Sequence, residues 1–223
     1  MAVTLSSLRE QARQRADMED STFVSDAELT NYINSSIKEL YDILVQEYDG
    51  EYYVSEYEFT TTDSKTYDLP SDFYKLKGVD MKINNSNFYT LKQFNFNERN
   101  RYTENAPNSP YSFVRYRLQG GKLAFTPKPG TGKDTKIWYI PLATELVDDS
   151  DTFDGINGYE EYVIVDAAIK MLLKEESDAS ALYQMKADLS ARITQAAANR
   201  NAGEPQSVSD IYAENNWYWW SVD

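Results

Sequence analysis

The sequence predicts an α+β fold: an antiparallel helical bundle made of residues 1–50 and 155–203, a small antiparallel β domain inserted at 51–154, and an extended C-terminal tail at 204–223. Three observations predict it. Apolar residues recur at helical spacing before residue 50 and again after 159. Between these stretches the pattern changes to strand-like alternation rich in Tyr, Val, Phe and Thr. The helices on either side each have an apolar face with no partner in their own half, so they pack most economically on one another and the β segment becomes an insertion.

The elements follow in order. Residues 4–17 place Leu5, Leu8, Ala12 and Ala16 on one helical face. Ser25-Asp26-Ala27-Glu28 has the form of a capping box, in which the Ser hydroxyl accepts from the Glu28 amide and the Glu28 side chain reaches back. Leu29, Ile33, Ile37, Leu40 and Leu44 then continue a helix that stops near Tyr48-Asp49-Gly50. Residues 51–62 alternate as a strand, 75–83 form a second, and Asn84-Asn85-Ser86-Asn87 reads as a turn. Residues 112–127 make two alternating runs around Gln119-Gly120-Gly121, a hairpin. A last strand covers 135–144, and Pro141 marks its end or places it at a sheet edge.

After an acidic loop the helical pattern returns, with Asn157-Gly158-Tyr159-Glu160 as its cap. Residues 160–177 are apolar on most sides, and Asp166, Lys170 and Lys174 form a single narrow wet stripe, as expected of a central helix. The final helix, 179–200, carries Leu182, Met185, Leu189, Ile193 and Ala196 on one face and stops at Asn201-Ala202-Gly203.

Composition removes whole classes of function. The 223 residues contain no Cys and no His, which excludes disulfides, thiol catalysis, Cys/His zinc sites and histidine acid–base chemistry. No cofactor is expected. The formal net charge of -14 argues against binding along a phosphate backbone, although an acidic wall that lets DNA slide past is compatible with it. No apolar run approaches the ~20 residues a membrane span needs.

Two local patterns invite chemistry. Residues 129–135, PGTGKDT, resemble a phosphate loop, but Pro127 stands where a Gly is required and Asp134 where a hydroxyl would hold magnesium, so the stretch reads as a turn between strands. In the loop 150–161, Asp154, Gly155 and Glu161 occupy three positions of a calcium loop, a candidate for weak calcium binding; Ser150 and Thr152 stand where carboxylates are wanted, which favours a solvated acidic loop. The 18 tyrosines cluster at 48–57 and 102–118, where an aromatic platform for sugars competes with cross-strand packing.

The tail holds three of the four tryptophans, in Trp217-Tyr218-Trp219-Trp220. With Ile211 and Tyr212 they are the candidate partner-binding residues: a polar spacer follows the helix stop, and buried Trp and Tyr are common interface anchors; the alternative is that the four aromatics fold back to cover the chain's own core.

The stretches SDAELTNYINSSIKELYD (25–42), TYDLPSDFYKLKGVDM (66–81), GGKLAFTPKPG (120–130), IWYIPLATEL (137–146) and GYEEYVIVDAAIKMLLKEESD (158–178) together resemble the head-tail adaptor, or head-completion, proteins of tailed bacteriophages. The resemblance covers roughly residues 4–200. It implies a structural, non-enzymatic virion protein of the neck, made in the bacterial host cytoplasm. It further implies a homo-oligomeric ring of twelve copies under the portal protein, joined below to a tail or nozzle protein, with DNA passing through the channel without specific binding and no membrane involved. The alternative is a tail-associated receptor or carbohydrate-binding protein that uses the Tyr-rich β region.

Overall fold

The computed structural model of the chain describes residues 3–20, 22–47, 52–82, 87–99, 114–153 and 158–198. Helix α1 spans Leu5–Arg15 and α2 spans Asp26–Glu47. Helix α3 spans Glu160–Lys174 and α4 spans Ser180–Ala198. Each begins where the sequence supplies a cap or a turn. The Thr4 hydroxyl accepts from the Ser7 amide (3.3 Å), and the Ser25 hydroxyl accepts from the Glu28 amide (3.3 Å). The second half of the expected capping box is absent, because the Glu28 carboxylate accepts instead from the Tyr32 hydroxyl (2.7 Å) and Lys174 (2.6 Å). Tyr159, whose side chain makes no capping hydrogen bond, occupies the cap position of α3.

One hydrophobic core joins all four helices. Leu5, Leu8 and Ala12 of α1, Leu29, Ile33, Ile37 and Leu40 of α2, and Tyr162, Val163 and Ala167 of α3 are buried in it. Ile193 and Ala197 bring the end of α4 into the same core. Ala197, not Ala196, turns inward there, and Ala196 is exposed. Every residue from Tyr162 to Ile169 is buried. A helix can be covered on all sides only if it has neighbours on all sides. Here α1 and α2 pack against one side of α3, while Val165 and Ile169 meet Ala179, Leu182 and Leu189 along α4. The stripe Asp166, Lys170, Lys174 is therefore wet only towards its end, with Lys170 partly exposed, Lys174 exposed and Asp166 buried. Asp166 is 3% exposed, and Lys170 of α3 and Lys186 of α4 supply the charges, and Ser36 of α2 the hydroxyl, that permit its burial.

Between α2 and α3 lie the strands, with β1 (Val3–Thr4) ahead of α1. They are β2 (Ser55–Thr62), β3 (Thr66–Asp68), β4 (Phe73–Lys82), β5 (Phe88–Thr90), β6 (Lys92–Gln93), β7 (Arg115–Gln119), β8 (Lys122–Thr126), β9 (Thr131–Pro141) and β10 (Thr152–Phe153). They form two four-stranded sheets, in the orders β2-β9-β4-β5 and β3-β8-β7-β6, and a two-stranded ribbon of β1 with β10. Val79, Met81, Ile137 and Tyr139 from the first sheet meet Tyr116, Leu123 and Phe125 from the second in a separate core. The alternation in β4, β8 and β9 makes this possible, since every second side chain points the same way.

The hairpin falls where expected. Gly120 and Gly121 adopt φ of 60° and 72°, the left-handed backbone a two-residue turn needs. The strand 135–144 differs: it begins at Thr131, ends at Pro141 and lies at the centre of its sheet, with β2 and β4 as neighbours. Proline is tolerated there because it is the terminal residue, where the ladder stops. One pairing is parallel, β6 with β7. The turn expected at 84–87 falls largely outside the described residues.

Candidate functional site

The six tail residues singled out by the sequence, Ile211, Tyr212, Trp217, Tyr218, Trp219 and Trp220, lie outside the described residues. Among the described residues, the notable polar geometry gathers at two places: the centre of the helices, and the junction where α2 meets the end of β9.

At the centre, the Asp166 carboxylate accepts from Lys170 (2.6 Å), Lys186 (2.8 Å) and the Ser36 hydroxyl (2.6 Å). Burial pushes its pKa upward, but the bonds to Lys170, Lys186 and Ser36 outweigh burial and hold it below the ordinary aspartate value. Lys186 also bonds Glu39 (2.8 Å), and its ammonium lies 5.4 Å from the centre of the Tyr162 ring. Burial opposes the lysine's charge, yet the bonds to Asp166 and Glu39 raise its pKa above the usual lysine value. Three helices are thereby tied through one carboxylate. With its charge matched by two lysines and a hydroxyl, the arrangement is structural.

At the junction, Asn34, Lys38 and Tyr41 recur on α2 at spacings of four and three. The Asn34 side chain donates to the Leu146 carbonyl and accepts from the Leu146 amide, both at 2.9 Å. Lys38 pairs with Glu145 (2.6 Å). The Tyr41 hydroxyl donates to the Pro141 carbonyl (2.8 Å), and the Tyr74 hydroxyl of β4 donates to Asp42 (2.7 Å). Burial pushes the Tyr41 phenol up to about 12, with Tyr74 and Asp42 adding to it. This second face of α2, opposite in role to its core face, is one the sequence reading did not single out.

The remaining candidates resolve into structure. Of residues 129–135, only 129–130 connect β8 to β9 and 131–135 are already the start of β9, with Gly130 and Gly132 at φ of 76° and 78°; the stretch runs into a strand, not a helix, so there is no phosphate-loop geometry. In the acidic loop, the Asp151 carboxylate accepts from the amides of Val147 (2.7 Å) and Asp148 (2.8 Å), which lowers its pKa, while Asp149 pairs with Arg9. Among the described residues no group of three acids is placed to hold a metal ion, and Asp154 and Gly155 lie outside them. Of the tyrosines of the β segment, Tyr67 contacts Phe59 and Phe125, Tyr139 stacks on Phe73 and Tyr116 is buried, whereas Tyr52, Tyr57, Tyr74 and Tyr89 are exposed.

The chain belongs to the SU10 adaptor protein family, a family of phage head-tail adaptors whose model matches residues 3–209. It is thus a bacteriophage structural protein with an adaptor role in the virion. No curated protein matches the chain. No helix of the described residues is long and apolar enough to cross a membrane.

Proposed function

We propose that the chain assembles into a twelve-membered ring that joins the portal to the tail and lines the DNA channel at the neck of the virion. Membership of the adaptor family over residues 3–209 carries this reading. In it the four helices act as an antiparallel bundle docked under the portal, residues 51–154 act as an inserted domain directed outward or towards the tail, and residues 204–223 anchor the ring. Trp217, Tyr218, Trp219 and Trp220, with Ile211 and Tyr212, are the anchors, seated in the portal or a neighbouring subunit.

The charge distribution supports a channel role. Residues 51–154 hold 13 Lys and Arg against 15 Asp and Glu, so most of the net charge of -14 belongs to the helical segments and the tail. Helices facing the channel would repel phosphate and leave the DNA free to slide. The packing of Tyr67, Tyr116 and Tyr139 into the β core leaves the carbohydrate-binding alternative without an open platform built from those three rings. Binding of the purified protein to its portal, compared with a chain truncated after residue 203, tests the reading: loss of binding on truncation is expected, and undiminished binding refutes the tail's role.

A further inference from the structure

Part of the apolar surface that the fold leaves open lies at the junction, where Tyr52, Tyr74 and Leu142 are exposed. A groove of about 330 Å3 opens there, to which α2 contributes Tyr41 and Leu44, the start of the β segment Tyr52 and Tyr53, and the stretch after β9 Leu142 and Phe153. A second pocket of about 300 Å3 shares Tyr41, Leu142 and Ala143 with it. Leu142 is 51% exposed and Tyr52 55%. Charged groups, Lys38, Asp42 and Glu145, line only the second pocket. A groove of this size with aromatic walls and polar groups at one side suits indole rings, which bring a large apolar face and a single N–H.

The end of α4 says which indoles are near. Arg192 donates to the Gly158 carbonyl (3.4 Å), six residues before α4 finishes at Ala198. Gly158 is five residues along from Phe153 in the groove, a stretch of at most ~17 Å. Ile193 and Ala197, at the end of the same helix, belong to the core that also takes in Leu40, Leu44, Tyr53 and Phe153 of the groove. Trp217 comes 19 residues after Ala198, which allows a reach of up to ~60 Å. A tethered segment with that reach is presented to the groove at an effective concentration in the millimolar range.

We propose that this groove is a binding site for an indole-bearing peptide, and that in the unassembled chain its occupant is the chain's own segment 217–220. Docking there covers two apolar surfaces at once, the groove and the tryptophans, in a protein that must stay soluble until it meets its partner. Assembly then exchanges one seat for another. The inference stands apart from the portal reading, since a tail that never touches a portal can still rest in this groove.

The absence of cysteine allows a clean test in the full-length chain. Thr144, exposed at the groove, and Ser221, beside the tryptophans, are both replaced (Thr144→Cys, Ser221→Cys), and disulfide formation is followed at dilute concentration. Intrachain crosslinking is expected to run on the order of tenfold faster than in a control chain carrying Lys77→Cys with Ser221→Cys. Adding Leu142→Asp, a change at an exposed position, should remove that advantage while leaving the circular dichroism unchanged. Equal rates at Thr144 and Lys77, or crosslinks that form only between chains when the two single-cysteine variants are mixed, would overturn the proposal. Portal binding by the same variants under reducing conditions is scored separately, so failure of the groove and failure of the anchor are distinguishable.

Discussion

Asp166 of α3 and Lys186 of α4 meet at 2.8 Å with only 4% of the aspartate side chain exposed. Lys170 and Ser36 complete the set from α3 and α2, so one carboxylate holds three helices in register. The pairing explains how a charged residue can sit in the most buried stretch of the chain. Desolvation of the acid is offset by two cations and a hydroxyl.

Removing the acid alone leaves its two lysines facing each other without the charge between them. Asp166→Ala is expected to destabilise the protein by about 3 kcal/mol, measured as a shift in the urea midpoint at unchanged slope. Asp166→Asn, which keeps the shape and some of the hydrogen bonds, should cost less. A change below about 0.5 kcal/mol for the alanine variant would show that the cluster is incidental.

The same group sets an acid limit. Its folded-state pKa lies below the ordinary value of 3.8. Its stabilisation is therefore complete above that value and lost as pH falls through the folded pKa. The stability gap between the wild-type chain and Asp166→Asn should stay constant from about pH 7 to pH 5 and narrow below about pH 4. A gap that widens on acidification would contradict the assignment.

Tyr41 behaves in the opposite sense. Burial raises its phenol from 10.0 to about 12, so the unfolded chain releases its proton first as the solution becomes alkaline. Stability contributed by the neutral phenol is present below pH 10 and lost as pH rises towards the folded value. Tyr41→Phe should cost about 1 kcal/mol at neutral pH, through the lost bond to the Pro141 carbonyl, and should flatten the alkaline part of the stability profile. Urea titrations at neutral and alkaline pH, run on both chains, check it.

At the β7–β8 hairpin a Cβ on Gly120 or Gly121 would meet no atom within 4 Å. The cost of substitution there is one of backbone conformation alone. Gly120→Ala should lose about 1–2 kcal/mol, and Gly120→Asn clearly less, because Asn tolerates positive φ. Thermal melts of the two variants, compared at equal concentration, decide between them. Equal losses would point to a clash rather than to φ.

Much of this architecture was legible in local patterns. Leu29, Ile33, Ile37, Leu40 and Leu44 announce α2 because a helix packed on one side must repeat its apolar residues at three and four. Gly120-Gly121 announces its hairpin because few other pairs accept that turn. The central place of β9 was not legible, since β2 and β4 reach it from some 60 to 80 residues away and nothing in the strand itself names its neighbours. The stripe at 166, 170 and 174 was visible, but its meaning depended on Lys186 and Ser36, which come from other helices. The Asn34–Leu146 and Tyr41–Pro141 contacts were hidden for the same reason. Tail residues 204–223 drew attention only through composition, and the role proposed for them is one in assembly.

The ring at the portal is the central claim, and imaging tests it most directly. Purified full-length protein is mixed with its portal and examined by negative-stain electron microscopy. The account predicts a twelve-fold ring of added density at one end of the portal. A protein that remains monomeric and never associates with the portal under conditions where both are folded would contradict it.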